Sequence, residues 1–280
     1  MKPFKYIVPA AVLLLMAYAC GPDKPAAPAQ TTETPAAERP KKTTPVINYT
    51  LVKTYPHDKN SFTEGFLFHD GQLYESSGDV EYLPQTRSLF GSVDLKTGKL
   101  NVKAEIDKNA YFGEGITFLK GKVYQLTLTT QVGFIYDAKT FQKMGQFGYR
   151  TQGWGLTTQG SNLIMSDGTN YLTYLDPVDF HIIKVLNVTE NDYAVDYLNE
   201  LEYINGYIYA NVWMKNEIVK IDTASGEVVG KLVLDELAMD AKKADPNSME
   251  MNGIAYDSAS KKILVTGKMW PDIFEIEFEH

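Results

Sequence analysis

Cysteine is nearly absent from this 280-residue chain: Cys20 is the only one. No intramolecular disulfide can staple the fold, and no thiol can serve as nucleophile in the part that folds. An excess of basic residues is missing too. Lys and Arg number 27 against 35 Asp and Glu, a formal charge of −8. No basic run interrupts the chain, and this balance argues against a nucleic-acid partner. The apolar run from Ile7 to Met16 is shorter than the roughly 20 residues that cross a bilayer as a helix. Helical periodicity is also lacking, except over Asp235–Ala244.

What is present divides the chain in three. Met1–Cys20 has a basic start (Lys2, Lys5), the apolar run, and small residues before Cys20, the layout of a secretory signal peptide. Ala17-Tyr18-Ala19-Cys20-Gly21 resembles the lipobox of bacterial lipoproteins. That implies lipidation at Cys20 and attachment to the bacterial cell envelope, on the periplasmic or outer-membrane side; a plain signal peptide is the alternative. Residues 21–46 are rich in Pro, Ala and Thr with no apolar period, too little to offset chain entropy, so a disordered tether is expected. Residues 47–280 then form one all-β domain.

That domain is built from a repeat. Five segments share a polar lead-in, an apolar strand, a turn and a second apolar strand: Thr63–Phe68 with Leu73-Tyr74, Gly113–Phe118 with Val123-Tyr124, Gly153–Leu156 with Leu163-Ile164, Asn199–Tyr203 with Ile208-Tyr209, and Asn252–Tyr256 with Ile263-Leu264. Gly71, Gly121, Gly160 and Gly206 mark the turns of the first four. A second marker follows an alternating third strand: Asp94, Asp137, Asp176 and Asp222, each opening a short turn in which a carboxylate can accept a backbone N–H two residues on. Four strands at this spacing make a propeller blade. The count predicts a five-bladed β-propeller in which the leading strand Asn48–Tyr55 completes the last blade and removes an open edge.

In such a ring the residues just before each innermost strand gather at one mouth of the central channel. The repeat therefore brings Phe62, Glu64, Phe112, Glu114, Trp154, Asn199, Glu200 and Asn252 together. A pocket walled by rings and holding a few polar groups suits a small, partly apolar ligand; the plainer alternative is that these groups satisfy one another. Trp213 and Trp270 stand near the loop ends, and Trp154, flanked by Gly153 and Gly155, is free to present its ring.

Phe62-Thr63-Glu64-Gly65, Phe112-Gly113-Glu114-Gly115-Ile116-Thr117, Gly153-Trp154-Gly155-Leu156, Ala210-Asn211-Val212-Trp213 and Gly267-Lys268-Met269-Trp270, in this order, resemble the plant-type glutaminyl-peptide cyclotransferases, the glutamine cyclotransferase family with bacterial members. The resemblance runs from about residue 50 to 278. It implies a five-bladed propeller that turns an N-terminal Gln into pyroglutamate with release of ammonia and requires no metal. It further implies Glu114 as general acid/base, substrate contacts from Phe62, Phe112, Trp154, Asn199, Trp213 and Lys268, with Glu64 beside them, and a monomer acting on Gln-initiated peptides. Two positions depart from the family pattern: Glu64 stands where Gln is usual, and Leu128 where Trp is usual. Two neighbouring carboxylates either raise one another's pKa or hold a cation with Glu200, which leaves room for a structural calcium. Two rival readings remain: a calcium-dependent hydrolase of the lactonase type, and a non-catalytic lipoprotein that binds peptides or glycans.

Overall fold

A computed structural model of the chain describes residues 43–280; the expected signal peptide, the lipidation position Cys20 and most of the expected tether lie outside them. The described residues form five four-stranded antiparallel sheets arranged as a five-bladed propeller. The innermost strands are Thr63–His69, Gly113–Leu119, Leu156–Gln159, Leu198–Ile204 and Met251–Asp257, and we number the blades I to V in that order. Each innermost strand packs on the next around the ring, and blade V packs on blade I.

Local chemistry sets the strand ends. In blades I, II and IV the first hairpin turns on Asp70-Gly71, Lys120-Gly121 and Asn205-Gly206, every one of these residues at positive φ. Such two-residue turns match the twist of paired strands. The Asp markers cap the third-to-fourth strand turns as expected. Asp94 Oδ1 accepts Lys96 N at 2.9 Å, and Asp176 Oδ1 accepts Val178 N at 2.7 Å. Asp222 Oδ1 accepts Ala224 N at 3.0 Å, while Asp137 Oδ1 takes both Lys139 N and Thr140 N.

The core is divided, with one apolar cluster between each pair of neighbouring blades. Phe90, Ile116 and Phe134 join blades I and II; Leu126, Phe147 and Leu163 join II and III; Leu198, Ile208 and Leu172 join III and IV. Between IV and V the cluster takes in Leu237 and Ala241 from the helix Asp235–Ala244, where the sequence placed its one helix. Phe66, Leu73 and Leu264 seal V to I. That last seam also carries the ring closure. The strand Thr50–Pro56 pairs antiparallel with Asp272–Glu277 as the outermost strand of blade V, with Thr50 opposite Glu277. Upstream of it, Lys231 N donates to Pro45 O and Ile47 N to Lys231 O, so the last residues before the propeller lie along the outer strand of blade IV.

Candidate active site

Four of the five innermost strands break register at the same repeat position. The ladder shifts between Thr63 and Gly65, Gly113 and Ile116, Leu198 and Leu201, and Met251 and Ile254. The residues freed from regular pairing include Glu64, Glu114, Asn199 and Asn252. A bulge re-aims a side chain, here toward the channel mouth. The neighbouring blade holds each bulge in place. Ser76 Oγ in blade I donates to Glu114 O at 2.6 Å, Ser166 Oγ in blade III to Asn199 O at 2.7 Å, and Asn252 Nδ2 in blade V to Thr63 O at 2.9 Å. The glycines explain themselves there: a Cβ on Gly115 would meet Leu156 N and Trp154 O at 2.6 Å.

Over these bulges lies a cavity of ≈ 340 Å³. Glu64, Glu114, Asn199 and Lys268, all nearly inaccessible, form its floor; Phe62, Phe112, Trp154 and Trp213 form its walls. The eight residues expected to act on substrate thus line one pocket. The rings brace one another, Phe62 against Phe112 at 6.2 Å and Trp154 against Trp213 at 5.8 Å, both edge to face. Gly78 and Gly168 seat the Phe112 and Trp154 rings, since any Cβ at those positions would run into them. Leu128 lines the same wall, its N–H donated to Phe112 O, at the place Trp213 occupies in blade IV.

The electrostatics of the floor are asymmetric. Lys268 Nζ donates to Glu64 Oε1 at 2.7 Å and lies 4.5 Å from the Phe62 ring centroid; Asn252 Nδ2 donates to Glu64 Oε2 at 3.1 Å. Burial pushes the Glu64 carboxyl up to about 7 against the pull of Lys268. Glu114 has no such partner: among the described residues nothing hydrogen-bonds its carboxyl. Burial, reinforced by the Glu64 charge and opposed by Lys268, holds it well above the usual carboxylate range. Asn199 Oδ1 is also buried without a partner. An unpaired carboxyl and an unpaired amide facing one cavity are costly unless a ligand completes them.

Three expected members lie outside the pocket lining: Asn252, buried behind Glu64, to which it donates, Glu200 and Trp270. Glu200, in blade IV at the repeat position of Gly65 and Gly115, does not line the pocket; it accepts Phe66 N at 3.2 Å and Ile254 N at 2.8 Å, joining blades I, IV and V across the channel. Its oxygens, like those of Glu64, accept hydrogen bonds, and Glu64, Glu114 and Glu200 are not among the groups of three or more His, Asp or Glu with mutually close ligand atoms in the described residues. Trp270 is fully buried against Gly267 and Phe274 and is core. The sequence did not reveal the buried His57–Glu75 pair beneath the site. His57 Nε2 contacts Glu75 Oε1 at 3.0 Å, and Ser61 Oγ and Thr63 Oγ1 donate to that same oxygen. The pair fixes the segment carrying Phe62 and Glu64. Burial opposes both charges, yet each partner prevails: His57 is raised and Glu75 lowered from their ordinary values. Val80, Tyr82, Gln152, Met249 and Glu250 complete the rim.

A closed ring with a ring-walled pocket at its mouth, floored by a buried carboxyl of raised pKa, places the chain among β-propellers with a small-ligand site at one end of the channel. Comparison narrows the class. The family model described as glutamine cyclotransferase matches residues 24–278. A glutaminyl-peptide cyclotransferase of Arabidopsis thaliana is 37% identical over 232 residues, 82% of this chain and 71% of that protein. The crystal structure of Myxococcus xanthus glutaminyl cyclase superposes with a TM-score of 0.74 at 30% identity, covering 84% of this chain and 98% of that one. The chain belongs to the glutamine cyclotransferase family.

Proposed function

We propose that the chain is a glutaminyl-peptide cyclotransferase in which Glu114 carries the proton, a reading supported above all by the unpartnered, buried Glu114 carboxyl on the pocket floor. An N-terminal ammonium ordinarily titrates near ~8. A carboxylate held well above its usual range by burial is a better base toward that ammonium than an ordinary one, and its taking the proton leaves a neutral amine and a protonated Glu114. The amine nitrogen then attacks the side-chain carboxamide carbon. One N–H of the amine ends on the lactam nitrogen. The other passes to Glu114 as Glu114 delivers its own proton to the departing nitrogen, which leaves as ammonia. In this reading Asn199 donates to the carbonyl oxygen as charge develops there, and Lys268 adds one of the N–H groups it does not give to Glu64. The rings fold the Gln side chain back on its own amine, the proximity term that dominates an intramolecular closure. The walls are apolar and the cavity lies at the small end of the roughly 300–1,000 Å³ range of ligand sites, which suits a single terminal residue.

This reading routes no step through a metal, since Lys268 supplies the positive charge beside Glu64. It makes the protein a monomer in function, because one chain provides every group. The test is ammonia release from a Gln-initiated peptide by the parent and by Glu114→Gln. Parent turnover that the variant loses supports the assignment; equal rates would end it. We also propose a lipid at Cys20 and residence in the bacterial envelope, supported by the lipobox-like Ala17-Tyr18-Ala19-Cys20-Gly21. Cys20→Ala should move the protein from the membrane to the soluble fraction, and unchanged partition would refute the anchor.

A further inference from the structure

The pocket rim carries a charge that the chemistry above does not use. The repeat places Phe62, Phe112, Gln152, Tyr197 and Glu250 at equivalent positions, two residues before each bulge residue or its blade III counterpart Trp154. Four of the five line the cavity, and Glu250 is the acidic one. Its backbone is fixed, since Lys268 N donates to Glu250 O at 2.9 Å. Its half-buried carboxylate has no hydrogen bond or ion pair among the described residues. Lys268, the basic residue of the lining, is already committed to Glu64. Glu250 therefore leaves a negative potential at the mouth, felt by Glu64, whose carboxyl it helps to push up.

We propose that Glu250 selects the residue after the N-terminal Gln, favouring peptides with Lys or Arg there and disfavouring Asp or Glu. The proposal rests on the cyclase reading. With the terminal Gln held on the floor, the peptide must leave past Tyr82, Gln152, Met249 and Glu250. A cationic second side chain supplies the counter-charge that Glu250 lacks, and its methylenes lie along the exposed Tyr82 and the half-buried Met249. An acidic second residue meets repulsion. Charge complementarity at a solvated rim acts on encounter and binding, so the preference falls on KM and weakens with salt.

The test compares kcat/KM for matched Gln-Lys and Gln-Glu peptides in the parent, Glu250→Gln and Glu250→Lys. At low ionic strength the parent should prefer the Gln-Lys peptide by about five- to tenfold, the scale of one exposed charge pair replaced by its repulsive counterpart. That ratio should approach one in Glu250→Gln, reverse in Glu250→Lys, and collapse in the parent near 1 M salt. Taking the ratio within each variant cancels any effect of the substitution on Glu64 or on the proton transfer. A parent ratio of one, or a ratio unchanged in Glu250→Gln, overturns the proposal and leaves the cyclase reading standing. No ammonia from either peptide with the parent overturns both.

Discussion

Two pairs of glutamates are buried in this ring, and they differ in what their oxygens meet. Glu64 and Glu114 stand on blades I and II; Glu200 and Glu202 stand two residues apart on blade IV. Burial is the leading cause of a raised pKa in all four, with Glu202 pushed up to about 8. The blade IV pair is spent on the backbone: Glu200 takes Phe66 N and Ile254 N, and Glu202 takes Tyr256 N at 3.0 Å. Glu64 and Glu114 open on a cavity, and only Glu114 lacks a partner. A perturbed carboxyl is thus no signature of catalysis by itself. The signature is a perturbed carboxyl with an unfilled hydrogen-bonding capacity facing space that a ligand can enter.

The contrast can be broken experimentally. Glu114→Gln should cost about 100- to 10,000-fold in kcat, the usual worth of a general acid/base, while its melting temperature stays at or above that of the parent, because a buried ionisable group with no partner is removed. A drop in melting temperature would make Glu114 structural. Glu200→Ala should do the reverse, leaving two buried N–H donors unmet at about 1–3 kcal/mol each, and a melt that matches the parent would refute its bracing role. Glu64→Gln should give the smallest effect, a displaced pH profile. The Glu64 charge favours the protonated form of Glu114, so with Gln in its place the Glu114 pKa falls, and Lys268, freed from its partner, pulls it further. The limb of kcat/KM governed by Glu114 should move to lower pH. Because burial pushes Glu64 up to about 7, parent and variant profiles should converge below that pH; an unshifted limb would show that the two carboxyls do not interact.

The architecture was legible because a propeller writes its period into the chain: Gly71, Gly121 and Gly206 at positive φ, and Asp94, Asp137 and Asp222 at the turns, recur for local backbone reasons. The pocket walls were legible for the same reason, with family resemblance naming the roles. Glu200 misled because the repeat gives position but not orientation. At its place blades I, II, III and V carry glycine, and a long side chain there crosses the channel to reach backbone rather than turning up to the mouth. Glu250 and Gln152 occupy the repeat position of Phe62 and were open to the same reasoning. Val80 and Tyr82 were not, since they lie on an irregular loop after Ser77 with no counterpart in the other blades. The His57–Glu75 pair was invisible because His57 precedes the first repeat and meets Glu75 only where the ring closes.

The seam between blades V and I also orders events in time. Thr50–Pro56 has no strand to join until Asp272–Glu277 has been synthesised, and the Lys268–Glu64 contact spans that join. Loop length itself costs little, about 0.6 kcal/mol per doubling, so the burden falls on rate, as for other folds dominated by distant pairings. A nascent chain can stack four blades and still have an incomplete pocket, with one wall and its ammonium missing. Turnover is therefore expected only once the ring has closed.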